Sequence, residues 1–389
     1  MSIQQWSSRK RLAVICVPLC LSAGLSLLML WKLRVPFPWI DVLWGMCSVW
    51  VGFVCRPWQR WGINLAVILF TLAIAETCIR PKQPGDATYH SLDAPQLKFV
   101  MGDDLLGLVP RPNSRARHTL VTAGQTNIDA VYTIDENSLR VVSPAGRPES
   151  EPVVFCGCSY TFGEGVEDDE NLPSQVARRR PDLRMLNFGF SGYGPHQMLA
   201  NLESGRLGKI CGKPPRVVIY QMIPPHVKRV VGWVPYRAHA PRYGWQGGKL
   251  CRLGHHDDRR WLAPLQKGLA KSGVYSKLLE DWIISSADIE LTAAVVEQSA
   301  AEVAGQFPGC EFHVLFWSFP HNPIAASLSA ELKRRGLKLH MVEQFAPEIE
   351  DRNSRFGIPG DGHPSPEAYA RLADYICQEI LKEAAATSQ

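Results

Sequence analysis

Five short apolar segments beyond Glu151, each separated from the next by a helical pattern, constrain the fold more than any other feature of this sequence. They are Pro152 to Cys156, Met185 to Phe188, Val217 to Ile223, Phe312 to Phe316 and Leu337 to Val342. Apolar strands that alternate with helices are typical of a parallel sheet covered by crossover helices. Such sheets bind ligands beyond the carboxyl ends of their strands, so functional residues are expected directly after these segments.

Glycine-rich turns follow the first two segments. The first turn carries Ser159 between Gly157 and Gly163, ahead of a helix whose unpaired N–H groups can receive a developing oxyanion. The second turn, Asn187 to Gly192, can bring a backbone N–H close to a ligand. The two turns together predict a nucleophilic serine beside backbone hydrogen-bond donors.

A histidine near the C-terminus can supply the base that a serine needs at neutral pH. His363 follows Asp361 by two residues and precedes a helix that Ser365 can cap. A carboxylate that orients the imidazole would complete a nucleophilic triad. We therefore predict Ser159 as nucleophile, His363 as base and Asp361 as the orienting group. Taken singly, each residue has a structural alternative in a turn or a helix cap.

Taken in order, three blocks of the sequence resemble those of the SGNH/GDSL hydrolase superfamily. They are Gly157-x-Ser159-x-Thr161-x-Gly163, Asn187-x-Gly189-x-Ser191-Gly192 and Asp361-x-His363-Pro364. The resemblance implies a flavodoxin-like three-layer α/β sandwich with a parallel sheet over residues 151–389, acting on acyl esters as a hydrolase or acyltransferase. It also implies a catalytic triad of Ser159, Asp361 and His363, and an oxyanion hole formed by the backbone N–H groups of Ser159 and Gly192.

Three departures from the family pattern bear on the expected activity. Cys158 stands where an aspartate often precedes the nucleophile, which removes no triad residue. Asp361 and His363 are two residues apart rather than three, which resembles bacterial polysaccharide O-acetyltransferases. The third block lacks its usual asparagine, so either Gln221 or His226 replaces that oxyanion donor or the backbone donors act alone. Losing one such donor lowers kcat by roughly a hundredfold or more.

Apolar residues crowd into the first eighty positions, which is typical of a membrane anchor. Residues 12–31 form one apolar run, residues 62–79 form another, and residues 37–55 between them are apolar and rich in tryptophan. The first run is either a span or an uncleaved signal sequence, and the middle one is either a span or an interfacial hairpin. Residues 1–80 are therefore predicted to anchor the chain in a lipid bilayer through two or three spans.

The distribution of basic residues favours three spans and an extracytoplasmic C-terminal domain. With the N-terminus inside, the cytoplasmic set would be Arg9, Lys10, Arg11, Arg56 and Arg60, against Lys32, Arg34, Arg80 and Lys82 outside. Two spans would instead place the domain in the cytoplasm. Beyond the anchor we predict a linker over residues 81–96, a small β-rich lead-in over residues 97–150 and the α/β domain over residues 151–389.

Charge and cysteine spacing exclude several classes of function. The net charge of +5 is spread along the chain without a groove-reading or stacking motif, so no nucleic-acid partner is expected. The eleven cysteines lack paired zinc spacing, and adjacent residues such as His255 to Asp258 rarely converge on one ion, so no metal or cofactor is expected. Arg140 is expected to form a structural ion pair, with an anionic substrate as the alternative.

The family resemblance favours acyl transfer to or from an exported or cell-envelope glycan. A transferase of this kind would need a separate membrane partner to deliver its acyl donor. One alternative is a membrane-anchored lipase, esterase or thioesterase. Another is a catalytically inactive assembly protein that binds glycans, which the missing third-block asparagine favours.

Overall fold

The structure, a computed structural model, describes residues 22, 37–54, 59–79, 86–122, 124–234, 239–258, 269, 272–275, 279–280 and 282–382. The chain divides into two compact units, residues 1–83 with 261–283, and residues 84–260 with 284–389. Apart from Ser22, the span predicted over residues 12–31 lies outside the described residues.

The first unit contains two apolar helices, α1 (Phe37–Val54) and α2 (Gln59–Cys78). They approach closely at Gly45, where an added Cβ would lie 3.0 Å from the ring of Phe70. Among the described residues, only Trp61–Cys78 is both long and apolar enough to cross a membrane, and the apolar stretch of α1 is shorter, Val42–Val51. Length and composition therefore allow one membrane-crossing helix, and a multi-pass anchor stays a prediction.

The second unit begins with antiparallel strands: β1 (Asp86–Ser91), β2 (Val100–Asp103), β3 (Gly107–Pro110), β4 (Ser114–Thr122) and β5 (Gln125–Ile134). Strand β4 pairs with β1 and β5, whereas β2 pairs with β3. We refer to β1, β4 and β5 as the lead-in sheet. Strand β1 lies inside residues 81–96, the predicted linker. The sequence does not predict a strand there because these mostly polar residues show no apolar alternation.

The remaining elements follow in chain order. They are β6 (Pro152–Cys156), α3 (Ser159–Phe162), α4 (Leu172–Arg179), β7 (Arg184–Asn187), α5 (Pro195–Glu203), α6 (Arg206–Cys211), β8 (Val217–Met222), α7 (His226–Val231), β9 (Pro241–Gln246), β10 (Lys249–His255), α8 (Ser286–Gln306), β11 (Glu311–Phe316), α9 (Ala325–Arg334), β12 (Lys338–Met341), α10 (Val342–Phe345) and α11 (Pro366–Tyr375).

Five of these strands form a parallel sheet in the order β12-β11-β8-β6-β7. This confirms the predicted α/β class with a central parallel sheet, and each strand ends within one residue of its predicted bounds. Numbered within the sheet, the order is 2-1-3-4-5, which is the flavodoxin-like order. The order reverses between β6 and β8, and this switch point is where such sheets bind ligands.

Both faces of the sheet are covered, which explains why its central strands read as unbroken apolar runs. All residues of β6 and β8 are buried. Val153 and Phe155 belong to one hydrophobic cluster, shared with α4 and α11, whereas Val154 and Cys156 belong to a second, shared with α5 and α8. Successive side chains of a strand point to opposite faces of the sheet, so helices pack on both faces. The sheet and the two helical layers make the three layers of the domain.

Candidate active site

Ser159 lies directly beyond the carboxyl end of β6, at the switch point of the sheet. It is the first residue of the short helix α3, which ends at Gly163 in a left-handed conformation with a φ of 82°. The serine is only 6% exposed. A tight turn between a buried strand and a short helix therefore fixes the hydroxyl where parallel sheets bind their ligands.

Ser159, His363 and Asp361 form one chain of hydrogen bonds. His363 Nε2 lies 2.8 Å from Ser159 Oγ. His363 Nδ1 is bonded to Asp361 Oδ2, and the backbone N–H of His363 donates to the same oxygen over 3.2 Å. Because an ionised carboxylate only accepts, the Nδ1 proton is the donor, which leaves Nε2 able to accept the serine proton. The two-residue spacing of aspartate and histidine is therefore sufficient to orient the imidazole.

The loop that carries His363 is fastened on both sides. The backbone N–H of Ile358 donates to His363 O over 2.8 Å, and that of Ser365 donates to Phe356 O over 2.9 Å. Ser365 then caps α11, as its side chain accepts from the N–H of Ala368 over 3.4 Å. Helix α11 packs its apolar face into the core, so the base is attached to a rigid element.

Charges around His363 favour its protonated form. Burial alone would lower the pKa of His363, but the hydrogen bond to Asp361 and the negative charges of Glu164 and Asp361 raise it above 6.5. Burial likewise opposes ionisation of Asp361, yet the bond to His363 lowers the pKa of that carboxyl below 3.8. The two shifts agree with each other, since each describes an imidazolium stabilised by an ionised carboxylate.

The second glycine turn presses against α3. An added Cβ at Gly189 would lie 2.5 Å from Thr161 Cβ and 2.6 Å from Phe162 N, so only glycine permits this approach. Gly192 has a φ of 80°, in the left-handed region that favours glycine. Within the described ranges of the chain, the backbone N–H groups of Ser159 and Gly192 have no acceptor. Both donors are therefore available to a ligand.

Gln221 and His226 do not provide the missing oxyanion donor. The Nε2 of Gln221 already donates to Tyr160 O and to Thr161 Oγ1, each over 3.1 Å, and its Oε1 accepts from the indole of Trp317. Gln221 has no exposed surface, so a bound substrate cannot reach its amide. The interpretation of Gln221 as an oxyanion donor is therefore wrong, because the residue instead ties α3 to the sheet.

His226 is equally inaccessible. Its imidazole has no exposed surface, and its Nδ1 lies 2.6 Å from the hydroxyl oxygen of Tyr220. Burial is the largest cause that lowers the pKa of His226 well below 6.5, so the ring is neutral. Ser159 and Gly192 thus remain the candidate donors, and both act through the backbone.

Two residues that the motifs did not single out also lie at the site. The carboxylate of Glu164 accepts hydrogen bonds from Ser191 Oγ and, over 2.6 Å, from the Tyr89 hydroxyl. Glu164 directly follows the first glycine block, so its place close to Ser159 was visible in the sequence. Tyr89 belongs to β1, 75 residues away from Glu164, and no local pattern could have indicated the contact.

No family model and no curated protein matches this sequence. A member of the lipolytic protein G-D-S-L family from Veillonella parvula matches with 10% identity and a TM-score of 0.36, over 60% of this chain and 100% of that one. Solved structures similar to this chain thus include G-D-S-L proteins.

Two esterases also match. A psychrotrophic esterase from Pseudoalteromonas sp. has 12% identity and a TM-score of 0.33, over 60% of this chain and 97% of that one. An acetyl xylan esterase from the rumen bacterium Butyrivibrio proteoclasticus has 10% identity and a TM-score of 0.35, over 65% of this chain and 67% of that one. At such identities the likeness concerns the fold alone, and the chemistry must follow from the side chains at the site.

Proposed function

We propose that this chain cleaves acyl esters through a covalent acyl-enzyme on Ser159. The observation that carries the proposal is the continuous hydrogen-bond chain from Asp361 through His363 to Ser159, with 2.8 Å between Nε2 and Oγ. This distance lies within the range at which an imidazole can remove a hydroxyl proton.

In the first step, His363 Nε2 takes the proton of Ser159 as Oγ attacks the ester carbonyl carbon. The oxyanion that forms accepts from the N–H groups of Ser159 and Gly192, and the Asp361 carboxylate stabilises the imidazolium. The bond to the leaving alcohol then breaks, and the imidazolium returns the proton to that alcohol.

In the second step, His363 takes the proton of water or of a sugar hydroxyl as its oxygen attacks the acyl carbon. The bond from that carbon to Ser159 Oγ then breaks, and the imidazolium returns the proton to Oγ. Water releases a carboxylic acid, whereas a sugar hydroxyl yields a new ester. We propose a glycan as the physiological ester or acceptor, and the short Asp361-x-His363 spacing, which resembles polysaccharide O-acetyltransferases, supports this choice. A membrane-anchored lipase, esterase or thioesterase would use the same site for hydrolysis alone.

The nucleophile is tested by labelling the full chain with a fluorophosphonate and locating the adduct by peptide mass spectrometry. We expect one adduct on Ser159, because this hydroxyl is bonded to a base. An adduct on another serine would contradict the proposal. Absence of any adduct would favour the inactive glycan-binding protein, for which the missing side-chain oxyanion donor is the supporting observation. Product analysis with an acetyl ester, with and without glycan, then separates transfer from hydrolysis: acetylated sugar indicates transfer and acetate alone indicates hydrolysis.

We further propose that the second unit, which contains Ser159, lies outside the cytoplasm. The slight excess of basic residues on the predicted inner side supports this topology. We expect protease added to intact spheroplasts to digest residues 84–260. Digestion only after lysis would exclude exported glycans as substrates.

A further inference from the structure

Glu164 connects three parts of the site. Its backbone N–H donates to Ser159 O over 3.0 Å, which fixes it to the nucleophile turn. Its carboxylate accepts from Ser191, the residue before Gly192, and from Tyr89 of the lead-in sheet. One side chain therefore joins the two turns that carry the proposed oxyanion donors.

This carboxylate is charged although it is partly buried. Burial opposes ionisation, but His363, the two hydroxyl donors and His118 together lower the pKa of Glu164 below 4.5. A buried charge is costly unless hydrogen bonds and an opposite charge compensate it. Two carboxylates, Glu164 and Asp361, thus act on the same imidazole.

The lead-in sheet holds Glu164 in place at two points. Tyr89 stacks on His118 of β4, with 4.3 Å between the ring centroids and an interplanar angle of 8°. The hydroxyl oxygen of Tyr132 on β5 accepts from the N–H of Gly165 over 2.7 Å and lies 2.7 Å from His118 Nδ1. The segment directly after the nucleophile helix is therefore bound to two strands that precede the α/β sheet.

We propose that Glu164 is a positioning residue of the acyl-transfer site: its carboxylate fastens the Gly192 turn to the nucleophile turn, and its negative charge favours the imidazolium that His363 becomes at each proton transfer. The inference rests on the proposed function. It makes the lead-in sheet part of the active site, since Tyr89 supplies one of the two hydroxyl donors that orient the carboxylate. A displacement of about 1 Å at an oxyanion donor can cost roughly a hundredfold in rate.

Several ionisable groups affect the protonation of His363 and Glu164. Those that act on His363 or Glu164 are Asp361, Arg352, His118, Tyr89 and Tyr132, and Tyr160 places its ring 5.4 Å from that of His363. Arg352 opposes protonation of His363, whereas Glu164 and Asp361 favour it. Removing the charge of Glu164 therefore lowers the pKa of the base, and the pH above which His363 is neutral falls with it.

The test compares Glu164→Gln with the wild-type full chain in an activated-ester assay across pH. We expect kcat to fall about ten- to a hundredfold with KM changed less than about twofold. The substitution weakens stabilisation of the transition state and leaves substrate binding nearly unchanged. The rising limb of kcat/KM should move to lower pH. Glu136→Gln is the matched control, since Glu136 is exposed and, within the described part of the chain, bonds through its side chain to the neighbouring Asn137 alone.

A titration of the His363 imidazole by NMR, assigned by the signal lost in His363→Gln, separates this inference from the proposed function. A lower pKa in Glu164→Gln supports the inference even if the wild-type chain proves inactive towards esters and fluorophosphonates, which would overturn only the proposed function. An unchanged pKa together with unchanged kcat would overturn the inference.

Should Glu164→Gln fail to fold, Tyr89→Phe and Ser191→Ala each remove one donor and keep the charge. Reduced kcat at constant KM in both would support the positioning role. Wild-type kcat in both would overturn it.

Discussion

Ser159→Ala is expected to lower kcat for an acyl ester by at least about 10³-fold, because alanine has no hydroxyl with which to form the acyl-enzyme. Among the residues that the structure describes, the side chain of Ser159 is bonded only to His363, so its removal leaves the turn intact. Initial rates of the full chain with an activated ester measure the effect. Residual activity would come from water held near His363 and the backbone donors.

Ser286→Ala serves as the matched control for this variant. Ser286 is an exposed serine at the start of α8, and its replacement should leave kcat unchanged. Equal thermal midpoints of the two variants would show that folding is not the cause of lost activity. A Ser159→Ala rate within tenfold of the wild type would rule out the acyl-enzyme mechanism.

The sheet could be predicted from the sequence because its strands are buried on both faces. Burial on both faces requires consecutive apolar residues, as in Val217 to Tyr220, and this leaves a signal that needs no knowledge of distant contacts. The proximity of Ser159, Asp361 and His363 could be predicted for a related reason. Ser159 and His363 each lie in short blocks whose glycines and cap residues meet local backbone requirements, such as the left-handed φ at Gly163 and Gly362.

The parts that the sequence did not predict depend on contacts between distant residues. Gln221 looked like an oxyanion donor because it is a polar residue at the end of a buried strand. Its partners are Tyr160, Thr161 and Trp317, and they satisfy its amide completely. The stretch that contains β1 is predicted to be a linker because it has Pro, Gly, Asp and Ser without periodicity, yet one side chain of β1 reaches Glu164.

Arg140 illustrates how one residue can support the site from outside it. Its side chain is fully buried and pairs with Asp168 over 3.0 Å, which is the structural ion pair expected from the sequence. The same guanidinium donates to the carbonyl oxygens of Phe162, Gly163 and Val166. These carbonyls belong to the segment that leaves α3, so Arg140 determines how the nucleophile turn ends.

The backbone of Arg140 also joins the two sheets. It forms antiparallel bridges with Ile134, at the end of β5, and with Asn187, at the end of β7. The side chain of Asn187 in turn donates to Thr161 O over 3.0 Å. Arg140 thus contacts three parts of the molecule: the lead-in sheet, α3 and the second glycine turn, which begins at Asn187. Local unfolding at Arg140 would affect all three.

Arg140→Met is expected to reduce the free energy of unfolding by about 3–5 kcal/mol, the usual cost of breaking a buried ion pair by removing one partner. Methionine fills similar volume but leaves Asp168 without its cation and removes one hydrogen-bond donor from each of three buried carbonyls. Chemical denaturation of the full chain measures the change, with hydrogen exchange of residues 152–166 reporting on the sheet and its turn.

Arg117→Met is the matched control. Arg117 pairs with Asp129, but both side chains are about half exposed, at 52% and 43%, so water already screens their attraction. We expect its denaturation midpoint to equal that of the wild type. If Arg140→Met also unfolded at the wild-type midpoint, the buried cation would not hold the turn, and the geometry at Ser159 would have to be maintained by Asn187 and Gln221 alone. Protection of residues 152–166 in the two variants distinguishes these cases, because only loss of an essential anchor would expose the turn before the rest of the sheet unfolds.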